Sequence, residues 1–211
     1  MTSPLTRIAS ACVAATLAVA ISGCSTQPQT AVDGKLADSY TALIEERLTG
    51  TLTEFETEVL ERALDRGTIS QSDYEAAHAR YRECMAQHGI ETEERRFPNG
   101  VIHSTPPGPG DRFTVEQLME VDYRCAISTI FVIDELYVVQ QGNPGLLRDT
   151  SAAGRECLVR EGLAPTSFSR DDFESAFGPE NADYDSLPFD VTDELVQMCL
   201  FTAHIVLGFA E

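Results

Sequence analysis

The chain has 211 residues and a formal charge of −19, set by 34 acidic against 15 basic side chains with a single lysine, Lys35. That balance argues against nucleic acid as a partner, because phosphate backbones are held by basic patches, and against a protein lying flat on anionic lipid. The length suits one compact domain or two small ones.

The chain opens with a charged residue, Arg7, and no acid precedes Asp33. From Ile8 to Ile21 it is almost entirely Ile, Ala, Val and Leu, the pattern of a secretory leader. The run is too short to span a bilayer, which needs ~20 apolar residues. It ends in Ile21-Ser22-Gly23-Cys24, which resembles the lipobox of bacterial lipoproteins. The resemblance implies cleavage after residue 23, with Cys24 becoming the first mature residue and carrying a diacylglycerol thioether. Residues 1–23 are then a signal peptide, and residues 24–35 a lipidated cysteine and polar tether. Cleavage removes one charge, Arg7, so the mature chain is more acidic still.

Leu36, Tyr40, Leu43, Ile44 and Leu48 predict an amphipathic helix ended by Gly50. Thr53 with Glu56 three residues on predicts a capping box, and Phe55, Val59, Leu60, Ala63 and Leu64 a buried stripe that stops at Gly67. Ser70 and Asp73 open a third helix with Tyr74, Ala77, Tyr81, Cys84 and Met85 on its apolar face, ended by Gly89. The stretch from Leu60 to Cys84 resembles small helical hairpins of secreted actinobacterial lipoproteins and short oligomerisation modules; the lipoproteins have no known function, so the likeness carries none over. Arg95-Arg96-Phe97 and Val101-Ile102-His103 flank Pro98-Asn99-Gly100 and predict a β-hairpin. Two strands alone are marginal, so this ribbon must lie on the helices. Pro106 to Gly110 is a loop. Thr114 caps one long helix running to about Gln141, apolar nearly all round from Cys125 to Val139 and so central and buried. Beyond Gly142 to Gly145 come helices over Leu147–Arg160 and Asp171–Phe177, a polar loop, and a last helix capped by Thr192 and apolar from Leu195.

Cys12 leaves with the leader and Cys24 is the lipidation site, which leaves Cys84, Cys125, Cys157 and Cys199. Four cysteines outside the cytoplasm favour two disulfides, with three connectivities open. An internal likeness chooses between them. Arg82-Glu83-Cys84-Met85 is followed by Gly89-Ile90, and Arg155-Glu156-Cys157-Leu158 by Gly162-Leu163 at the same offset. The step from Cys84 to Cys125 equals that from Cys157 to Cys199 to within one residue. Two diverged copies of one unit, each closed by its own bridge, predict Cys84–Cys125 and Cys157–Cys199. The expected fold is therefore mainly α: a disulfide-stapled helical domain of two diverged repeats with a small β-hairpin. The first unit spans residues 36–142 and the second 143–211, packed together as one domain.

The chemistry-bearing residues are sparse. An EF-hand reading of the Gly67 turn puts Arg62, Leu64 and Arg66 where calcium ligands belong, and fails. His78 and His88 flank Cys84 at no zinc spacing, so no metal or other cofactor is expected. His103 beside Ser104 lacks a nucleophile elbow. His204 fits a packed helix position. Glu83 and Glu156 recur in both copies beside arginines, and Asp171, Asp172, Glu174, Glu180 and Asp183 form an acidic run; both sets fit solvated surface. The expected function is a lipid-anchored extracytoplasmic binding module, held to the cell membrane by its anchor and facing an envelope protein. The alternatives are a hydrolase of envelope polymer using Glu83, Glu156 or His103, and capture of a small ligand or cation between the repeats. A contiguous exposed apolar patch favours the first.

Overall fold

The computed structural model describes residues 34–110, 112–178 and 184–208. The leader, Cys24 and most of the tether lie outside them, as do Glu180 and Asp183. Among the described residues the elements run α1 (Tyr40–Leu48), α2 (Glu54–Arg66), α3 (Gln71–Gln87), β1 (Glu93–Arg96), β2 (Ile102–Thr105), α4 (Val115–Thr129), α5 (Phe131–Gly142), α6 (Thr150–Arg160), α7 (Arg170–Phe177), a 3-10 turn (Tyr184–Ser186) and α8 (Glu194–Thr202). No described helix is long and apolar enough to cross a membrane.

Side-chain caps fix most helix starts. Ser39, Thr53, Ser70, Thr114, Asp149, Ser169 and Asp193 each accept a backbone N–H of the first turn. Asp193, not Thr192, caps the last helix; Thr192 instead bonds Asp190. α5 has no side-chain cap of its own. Glu56 of α2 stands in for it: one carboxylate oxygen closes the Thr53 capping box at 2.9 Å and the other lies 3.5 Å from the Val132 amide. One buried carboxylate thus serves two helix N-termini, where the peptide dipoles favour negative charge.

α5 is the hub of the body. It packs against α1, α2, α3, α4, α6 and α8 and buries Ile133, Leu136, Tyr137 and Val138. The expected single helix from Thr114 to Gln141 is in fact two, broken at Ile130. No Gly or Pro marks the break. Ser128 and Thr129 turn their hydroxyls back onto the carbonyls of Arg124 and Cys125, a bond that competes with the helical ladder and bends it. Cys125, one turn earlier, is tied to α3 by its disulfide.

The disulfides join Cys84 to Cys125 and Cys157 to Cys199, stapling α3 to α4 and α6 to α8. The two helix ends after the first cysteines match closely. Gly89 and Gly162 both take φ near +75°, and Ile90 and Leu163 donate to the carbonyls of Met85 and Leu158 at 3.0 and 2.9 Å. A left-handed residue there favours glycine, which has no Cβ to clash. What lies between the cysteines differs: a hairpin in one case, α7 and the 3-10 turn in the other.

The hairpin pairs Arg96 with Ile102 and Glu93 with Thr105. It is held against α3 and α8. The Tyr74 hydroxyl accepts from the Ile102 amide at 3.1 Å, while Phe97 packs on Phe201 at 5.3 Å between centroids. The folded body also begins two residues before the expected boundary. Leu36 donates to Leu146 O at 2.7 Å and Arg148 to Gly34 O at 3.0 Å, pairing the end of the tether with the α5–α6 turn.

Candidate functional site

α3 carries the densest polar chemistry. The face that buries Tyr74, Ala77, Tyr81 and Met85 also buries His78, only 2% exposed. Its ring lies edge-on to Tyr74, which stacks on Tyr137. His78 Nδ1 is 3.3 Å from Ser104 Oγ and 3.6 Å from Glu94 Oε1, and Nε2 is 3.4 Å from Asp134 Oδ1 without a hydrogen bond. Asp134 takes its hydrogen bond from the Tyr74 hydroxyl at 2.9 Å, and Glu94 is held by Arg82 at 2.5 Å.

A serine, a histidine and an acid are therefore adjacent, but not arranged for nucleophilic catalysis. Ser104 sits within a paired strand, not on a turn that aims neighbouring N–H groups at a developing oxyanion. Its hydroxyl also faces Glu94 at 3.4 Å. The cluster ties the hairpin to α3 and α5. Burial, reinforced by Asp134 for Tyr74 and by Asp122 for Tyr81, pushes both phenols above their ordinary range; burial does the same to Tyr40. All three therefore remain hydrogen-bond donors at any physiological pH.

The other expected residues disperse. His103 and Ser104 are consecutive on β2 and face opposite sides of the ribbon, so they cannot form a pair. His103 packs on Phe201, and burial with the Arg95 charge across the ladder pulls its pKa below the ordinary imidazole value. His204 is not in a helix: it follows α8, exposed, with φ +60°. Glu83 and Glu156 are exposed. Asp172 closes the Ser169 capping box, and Asp171 and Glu174 pair with Arg170, so these three acids are used locally. Cys84, Cys125 and His88 bring their ligand atoms within 4.8 Å of one another, but both sulfurs are spent in the disulfide.

Among the described residues, two open clefts each lie on one side of the boundary expected at residues 142–143. An open cleft of about 750 Å³ lies between the end of α3 and the Pro107–Gly110 loop, within the first unit, and one of about 400 Å³ lies beside α7, within the second. A small cavity between the hairpin and α8, lined by Arg95, Phe97, His103, Gln197 and Phe201, holds about 20 Å³, room for one water.

α4 presents a different kind of surface. Leu118 and Cys125 face the core. On the opposite side Val115, Met119, Tyr123 and Ile127 recur every four residues, and Phe131 continues the row past the bend. All five are exposed, by 43–66%, and they are five of the seven large apolar side chains left exposed among the described residues. Scattered apolar exposure is ordinary; a contiguous row along one helix is not. Sequence reasoning missed it because both faces of α4 are apolar, and it assigned Ile127 and Phe131 to the core. Comparisons with protein-family models, with curated proteins and with solved structures gave no match.

Proposed function

We propose that the protein is a lipid-anchored, extracytoplasmic, non-catalytic binding module whose contact surface is the outer face of α4. The exposed Val115–Met119–Tyr123–Ile127 row carries this reading. Such a row costs solubility when bare and is stabilised by docking. The two disulfides fit an oxidising compartment, and the Ile21-Ser22-Gly23-Cys24 signal supplies the anchor. The serine, histidine and acid around His78 support a structural role rather than a reaction.

Two measurements test the parts separately. Mass spectrometry of the mature protein should find Cys24 N-terminal and diacylated, and Cys24→Ser should shift the protein out of the membrane fraction. Cross-linking on intact cells should recover a stoichiometric neighbour, lost in Met119→Glu/Tyr123→Glu while the melting temperature is unchanged. A neighbour retained by that variant would remove α4 from the reading.

A further inference from the structure

We infer that the partner seated on the α4 row is a second copy of this chain, packed antiparallel about a two-fold axis level with the midpoint between Met119 and Tyr123. This rests on α4 being the contact face. In that pairing Met119 of one copy meets Tyr123 of the other, a sulfur–aromatic contact, and Val115 meets Ile127. An isologous contact requires such self-complementarity: where residue i meets j, j must meet i.

The charges give the second argument. Glu116, Glu120 and Arg124 form their own row at the same four-residue spacing, along one flank of the apolar row, and all three are exposed. A two-fold axis across the helices keeps that flank on the same side of both copies. Each Arg124 then falls between Glu116 and Glu120 of the other copy. A parallel pair would put the charged rows on opposite flanks, where they could not meet. A partner selected by basicity alone would leave Arg124 facing like charge.

The row is one helix wide and about 18 Å long from Val115 to Ile127 at ~1.5 Å per residue. Such a ridge buries less than the ~800 Å² per side of a standard complex, so the dimer is weak in dilute solution and forms where copies are crowded on a membrane. The formal charge of −19 opposes self-association at long range. Salt screens that repulsion beyond ~8 Å at physiological strength, so added salt should strengthen the dimer, whereas it would weaken capture of a basic partner.

The test uses the full lipidated protein in neutral phospholipid vesicles, with benzoylphenylalanine in place of Tyr123 and isotopically labelled and unlabelled copies mixed. Irradiation should join the peptide 113–124 of one copy to the α4 peptide of the other. Arg124→Glu alone, and Glu116→Lys/Glu120→Lys alone, should each cut the yield roughly tenfold. Mixing the two variants should restore it, because their charged rows are then complementary. Adducts between copies that leave α4, or variants that fail to rescue one another, would overturn the antiparallel pair. Adducts only to a different protein when the experiment is repeated on cells would overturn the second copy and leave the binding reading standing. No adduct in vesicles or on cells would sink both.

Discussion

Asp73 and Glu56, each in the first turn of a helix, hold several groups at once. Asp73 accepts from Ser70, Arg62 and Arg66. Burial opposes its charge, but the bonds from Arg62, Ser70 and Arg66 outweigh burial and hold its pKa below the ordinary carboxylate value. A depressed carboxyl stabilises the folded state fully above its unfolded pKa of ~3.9 and loses that contribution as pH falls through the folded value. Denaturant titrations should therefore find that Asp73→Asn costs about 1 kcal/mol at pH 7 and flattens the loss of stability below about pH 4. Glu56 gives a sharper case. Glu56→Gln removes the charge that two helix N-termini share, and urea unfolding should register a loss of about 1–2 kcal/mol. The Thr53 box was legible in the sequence from Thr53 and Glu56 alone. Its second use at Val132 was not, because nothing local links residues 56 and 132.

At the scale of elements, the close approaches fall on glycines. A Cβ on Gly142 would lie 2.0 Å from Thr202 Oγ1, and one on Gly154 would lie 2.6 Å from Phe173 Cζ and 2.8 Å from Ala203 Cβ. These are the seams of α5 with α8 and of α6 with α7 and α8. Gly154→Ala should lower stability by about 1–3 kcal/mol in thermal or denaturant unfolding, since both neighbours are packed and cannot yield cheaply. Cys157–Cys199 staples the α6–α8 seam, and Cys84–Cys125 staples α3 to α4. Each closes a loop of 41 or 42 residues, and removing either pair as a double serine variant should cost roughly 4 kcal/mol by loop-closure entropy. The pairing was legible because the cysteine helices end alike, at Gly89-Ile90 and Gly162-Leu163. The break at Ile130 was not, because the apolar pattern runs through it and its causes are a tertiary tether and two hydroxyls bonded backwards.

For the whole molecule, the sequence described a helical body with a ribbon laid on it, and the body is built that way around α5. It misjudged the outside of α4. Periodicity identifies apolar faces but does not say which of two will find the core. Leu118 and Cys125 found it; Met119 and Tyr123 did not. That unpartnered face is what the functional reading depends on. The most direct measurement compares photo-cross-linking on intact cells from position 119 with cross-linking from Glu58, an exposed site on α2. The account predicts one dominant adduct from position 119 and none from position 58. Equal, diffuse labelling from both positions would mean that α4 meets nothing in particular, and the binding reading would fall.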